Sequence, residues 1–176
     1  RGLPKPTSFR AGGWTADTHT LEALHQEGYV ADTSALNWAR MEEWEGVQNG
    51  VLYNWNKEQW SSINDTSQPY YPGTDDIQTD SDSPIGILEV PDNGIMVDYV
   101  DGFEMIEIFE ANWDGSPLAR PTQVSVGYHP PNFDARYHGR LDILLSHADQ
   151  FLAKNGAGPV VYARLSDLAL VWPAPQ

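Results

Sequence analysis

An arginine closes a short apolar run near the start of the chain and is followed at once by two glycines and an indole, Phe9-Arg10-Ala11-Gly12-Gly13-Trp14. Guanidinium is permanently charged and forks toward carboxylates, so at the mouth of a strand it serves an acidic partner. A salt bridge that fixes the strand end is the plain form of that service. The glycines let the backbone turn sharply or let another group approach closely. A second chemically capable residue is His129, which ends the run Val126-Gly127-Tyr128-His129 just before Pro130-Pro131. An imidazole at a strand mouth protonates a leaving group or stabilises an oxyanion; a lone histidine also serves as a structural or exposed residue. Asp32, in Gly28-Tyr29-Val30-Ala31-Asp32-Thr33-Ser34, is either a hydrogen-bond acceptor behind a site or a turn and capping residue.

Other candidates carry less. His19 and His25 belong to a helical stretch and are expected to face solvent. His129, Asp134 and His138 fit no recognised ligand spacing. Asp80-Ser81-Asp82 opens like a calcium loop but lacks its glycine and closing glutamate. Asn64-Asp65-Thr66 is a glycosylation acceptor only in a chain from a secreting eukaryote. Seven tryptophans supply indole faces that stack on sugars, although core packing accounts for most of such residues. Trp14, Trp38 and Trp55, in turn-like or polar surroundings, are the ones expected to be exposed.

Strand–helix alternation positions these residues. Residues 6–11 read as a strand, 17–27 as a helix capped by Asp17 or Thr15 and stopped by Gly28, and 29–31 as a second strand. Around Trp38, Trp44, Trp55 and Trp60 the periodicity weakens, and 61–84, with Pro69-Tyr70-Tyr71-Pro72-Gly73 at its centre, reads as a long surface excursion. Residues 85–91 suit a buried strand, and 101–113 suit a helix with Ile106, Phe109 and Trp113 on one face, or an extended stretch. A strand over 123–129 ends at His129. Leu141, Leu144, Leu145, Ala148, Phe151 and Leu152 form one helical stripe, followed by a strand over 160–163 and a short helix over 165–170. Together these predict one α/β domain, or part of a larger one.

Composition narrows the function. With no cysteine, disulfides, thiolate metal sites and a cysteine nucleophile are excluded together. Twenty-five acidic residues against ten basic give a formal charge of −15, which argues against nucleic acid as a partner. The acidity is uneven: between Lys57 and Arg120 there are fourteen acids and no base. Such a face repels polyanions and tolerates amine-bearing glycans; a solvated acidic surface is the plain alternative. No apolar run reaches membrane-spanning length, and no signal peptide is visible at Arg1.

The Arg10 block, the helix that ends in Gly28-Tyr29 with Asp32-Thr33-Ser34 after it, and the histidine-ended strand together resemble the later motifs of the polysaccharide deacetylases, carbohydrate esterases of the nodulation-deacetylase type. Three positions depart from the family pattern: Gly12 stands in place of proline, Thr33 of serine and Gly127 of leucine. The resemblance covers roughly Pro6 to Trp172 and implies the C-terminal half of a partial or distorted (β/α) barrel. It implies that Arg10 orients a catalytic carboxylate, that His129 is the acid and that Asp32 supports them. The groove for a glycan is expected from Trp14, Trp38, Trp55, Tyr70, Tyr71 and Tyr128. Such enzymes hydrolyse acetyl groups with a water activated by zinc or another divalent ion. Their metal is held by a paired-aspartate motif and His-x-x-x-His that precede the arginine, and no such motif occurs in this sequence. The chain is therefore expected to be a fragment, one half of a two-chain enzyme, or a metal-free relative. The resemblance also implies an extracellular, periplasmic or envelope location. A non-catalytic carbohydrate-binding or assembly module on the same fold is the alternative.

Overall fold

The computed structural model describes residues 2, 4–42, 50–130 and 134–174; Trp44 and Pro131 lie outside the described residues. Three short strands, β1 (Ser8–Phe9), β2 (Ala31–Asp32) and β3 (Leu88–Glu89), form a parallel sheet in the order β1-β2-β3. Ser8 is in register with Ala31, and Asp32 with Glu89. This sheet is open. Its helices are α1 (Thr18–Gln26), α2 (Trp38–Met41), α3 (Val51–Trp60), α4 (Gly102–Asn112), α5 (Ala135–Ala148) and α6 (Leu165–Val171).

Capping chemistry sets several of these ends. The Asp17 side chain accepts from Thr20 N at 2.8 Å, as the sequence predicted for α1. Asp101 and Glu104 form a reciprocal capping box that starts α4, so 101–113 is helical rather than extended. The Asp134 side chain caps α5 by accepting from Arg136 N and Tyr137 N.

Strand alternation divides the core between two faces. Ala31, Leu88 and Val90 pack with Tyr71 against Leu165, Leu168, Ala169 and Trp172 of the C-terminal segment. On the other face Leu21, Leu36, Trp60, Ile87, Met105 and Ile108 belong to the larger core. Asp32 and Glu89, one residue out of phase with Ala31 and Leu88, therefore turn their carboxyl groups toward that larger core.

Several expectations are corrected. Residues 61–84 are anchored into the core by Ile63, Tyr70, Tyr71 and Ile77 rather than forming a purely surface excursion. Tyr70 pairs antiparallel with Glu89 through bonds of 3.0 and 2.9 Å, which occupy the outer edge of β3. The predicted strand over 123–129 contributes a single parallel bridge, Gly127 with Met96. Its other donors go to side chains: Gln123 N donates to Gln68 Oε1 and Ser125 N to Asn93 Oδ1. Likewise the strand predicted over 160–163 amounts to one bridge between Val160 and Leu152. Helices α2 and α3 arise where periodicity was weak.

Candidate functional site

In a parallel sheet, the carboxyl ends of the strands open toward loops that carry function. Here those ends carry Arg10 after β1, Asp32 to Ser34 at and after β2, and Glu89 to Asp92 at and after β3. Arg10 Nη2 forms an ion pair with Asp92 Oδ2, and the Trp14 indole donates to the same oxygen at 2.8 Å. The guanidinium also lies over the Trp14 ring, 5.1 Å from its centroid. Asp92 is wholly inaccessible, while the Arg10 side chain is 26 % exposed. The pair thus joins a buried carboxylate to a cation that reaches the surface.

Burial pushes the Asp92 carboxyl up to about 6, against the opposing pull of Arg10 and the Trp14 indole. Its second oxygen, Oδ1, is buried and has no hydrogen-bond partner among the described residues.

Strained backbone flanks this pair. Trp14 has φ +57° and Ile95 has φ +53°, left-handed values that bulky residues seldom adopt. Each is held by several bonds. Trp14 N donates to Ala11 O at 3.1 Å, and Trp14 O accepts from the Trp60 indole at 2.9 Å. Ile95 N donates to Asp92 O, and Ile95 O accepts from Gly127 N at 2.7 Å. These bonds hold the indole and the Asp92 turn in the arrangement that meets Arg10.

The same bridge brings the histidine segment to the arginine. A Cβ built on Gly127 would stand 2.8 Å from Arg10 Nη1, so glycine leaves the space the guanidinium occupies. Two residues on, His129 Nδ1 lies 3.2 Å from Asp98 Oδ2. Imidazole Nε2 is then the nitrogen left for chemistry. The Tyr99 ring joins the two groups, with its centroid 6.2 Å from that of Trp14 and 6.4 Å from that of His129. Burial and the Asp98 charge raise the Tyr99 phenol above its ordinary value. His129 is about half exposed, with a side-chain accessibility of 48 %.

Asp32 sits behind this site rather than in it. Ser34 N donates to Asp32 Oδ2 at 3.0 Å, and Ser34 Oγ accepts from Ala11 N at 2.9 Å, which ties the end of β2 to the residue after Arg10. Its neighbour Glu89 is fully buried and accepts from Ala35 N at 2.8 Å. Burial drives Glu89 well above the carboxylate range, and the adjacent Asp32 charge adds to the shift. Burial raises Asp32 too, while its hydrogen bonds to Glu89 and Ser34 pull down. Burial thus favours the neutral form at both carboxyls and most strongly at Glu89. Asp32 is an acceptor for the loop, and its Oδ1, like Glu89 Oε2, is buried with no hydrogen-bond partner among the described residues.

The aromatic expectations divide sharply. Trp14, at 7 % exposure, and Trp38, at 3 %, are buried, contrary to the expectation that both lie open. Trp38 packs edge-on against Tyr53. Tyr70 and Tyr71 are buried as well, with their hydroxyls donating to Ile77 O and Trp172 O. None of these four presents a face to a glycan. Trp55 is half-buried. Tyr128 is exposed, as is Tyr99, which sequence reasoning did not select.

Asp92, Asp98 and Glu89 were also missed. Asp92 lies one residue beyond the apolar run 85–91, just as Arg10 ends the run 6–11. Opposite charges after the two outer strands of the sheet were the available signal.

Zinc bound through protein ligands alone needs three or four donors from histidine, cysteine or carboxylate. Among the described residues no three such groups converge. His129 with Asp98 and Asp32 with Glu89 each offer two. The described residues therefore do not fit the metal that the resemblance implies. No helix among them is long and apolar enough to cross a membrane. No family model, no curated protein and no solved structure matches the chain.

Proposed function

We propose that this chain carries the arginine–histidine part of a glycan deacetylase site, hydrolysing N- or O-acetyl groups in a protein completed by metal-binding motifs elsewhere. The observation that carries the reading is that Arg10 and the segment ending in His129 meet at the carboxyl ends of the strands, around the buried Asp92. Three parallel strands with intervening helices are compatible with an arc of a (β/α) barrel.

On this reading Asp92 is buried behind the site, and Arg10, fixed by it, is the member of the pair that reaches the surface. Hydrolysis forms a bond from water oxygen to the acetyl carbon and breaks the bond from that carbon to the glycan nitrogen or oxygen. His129, with Nδ1 beside Asp98, takes through Nε2 the proton that the attacking water loses and delivers it as the acid to the leaving atom. Tyr99 and Tyr128 offer exposed rings on which a pyranose stacks. The acidic surface favours neutral or amine-bearing glycans, and such substrates place the protein outside the cell or at its envelope.

Acetate release from an N-acetylated oligosaccharide by the full-length gene product, with zinc supplied, tests this. His129→Ala is expected to lower turnover at least about a hundredfold. Glycan binding with no acetate, unchanged by His129→Ala, would instead establish a carbohydrate-binding module.

A further inference from the structure

We infer that Arg140 is a positioning residue of this site, acting on His129 through the turn that bears Asp98. The inference rests on the proposed role of His129 for its functional meaning, but its geometry is independent of any reaction. Arg140 Nη1 reaches out of α5 and meets three carbonyls of one turn: Val97 O at 2.8 Å, Asp98 O at 3.3 Å and Val100 O at 3.5 Å. Such convergence of carbonyls on one cation fixes a turn whose backbone donors point elsewhere. Tyr99 N and Val100 N both donate to Met96 O, and Val97 N donates to Gly127 O. The guanidinium is itself held over the Tyr137 ring, 5.5 Å from its centroid.

This turn carries two groups that face His129. The Asp98 carboxylate meets Nδ1, and the Tyr99 ring stands edge-on to the imidazole. Helices α4 and α5 set the distance between Arg140 and the turn. A Cβ at Gly102, the first residue of α4, would stand 2.8 Å from Arg140 O and 2.7 Å from Ile143 Cβ, so glycine allows the two helices to close there. The helix pair is thereby linked to the histidine through one cation. Its hydrogen bonds all come from one nitrogen, so a lysine ammonium can replace them, whereas a methionine keeps the packing and loses the donors.

The test is nitrogen-15 NMR of the His129 ring in the chain as it stands, with Asp98→Asn to define how the ring shifts change when the carboxylate opposite Nδ1 is lost. Arg140→Met is expected to reproduce that change, and Arg140→Lys to leave the shifts as in the wild type. Arg140→Gln, too short to span the carbonyls, should behave as Arg140→Met does and supplies a second folded variant. Wild-type ring shifts in a folded Arg140→Met or Arg140→Gln protein would overturn the inference. So would the Asp98→Asn shifts in a folded Arg140→Lys protein. The readout needs no turnover, so a protein that releases no acetate would refute the functional proposal while leaving this result intact.

Discussion

Asp92 gains its character from three neighbours: the apolar core that surrounds it, the Arg10 guanidinium and the Trp14 indole. Its carboxyl titrates at about 6 in the folded chain against a reference of 3.8. A raised folded value means that the folded state holds the proton more tightly than the unfolded chain. The stability contributed by Asp92 is thus fully present below pH 3.8 and is lost as pH rises through about 6. Converted at the standard rate, that loss is about 3 kcal/mol. Urea unfolding of the wild type and Asp92→Asn from pH 3 to 8 checks it. The difference between the two curves should fall across that window and flatten above it. A rising or flat difference would contradict the assignment. The end of an apolar run made Arg10 legible, and Asp92 stands just past another such run, but nothing near it in the sequence marked its partner. Its partner is eighty-two residues away and only the parallel register brings them together.

At the scale of elements, the segment before His129 works through one bridge rather than a strand. Gly127 exchanges hydrogen bonds with Ile95 and Val97 and leaves room for Arg10. Gly127→Ala should push the guanidinium away from Asp92 and cost about 1 to 3 kcal/mol, the usual range for overpacking. With its cation displaced, Asp92 should titrate higher, so the same pH-dependent unfolding step should move upward. An unmoved step would show that Arg10 tolerates the added methyl. Helices α1, α4 and α5 were legible because aspartate caps and apolar stripes coincide in them. Helices α2 and α3 were not, since Trp38, Asn56 and Trp60 are buried among polar neighbours that break any simple stripe. The strand predicted over 123–129 failed for a different reason. Side chains of Gln68 and Asn93 take the backbone donors that a neighbouring strand would have taken.

For the whole molecule, a formal charge of −15 surrounds a cation, Arg10, that is already paired. Long-range attraction therefore brings no polyanion there, and on the proposed reading a glycan is recognised by exposed rings and hydrogen bonds. A mix of helices and parallel strands was legible from alternating elements, whereas the closeness of Arg10 and Gly127 depends on contacts far apart in sequence. Of the aromatic residues that could meet a sugar, composition alone could not separate core from surface. Trp14 illustrates why: its neighbours are small or polar, yet its indole is drawn inward by Asp92 and Tyr99.

The central claim is that one glycan site spans Asp92 and His129, and the Trp14 indole N–H, bonded to Asp92, reports on it directly. Titration of the labelled chain with an N-acetylated chitooligosaccharide, followed by NMR, is the measurement that tests it. The account predicts saturable shifts of the Trp14 indole N–H together with the ring signals of His129, Tyr99 and Tyr128. Unchanged signals at saturating oligosaccharide, or shifts confined to residues away from these four, would contradict it.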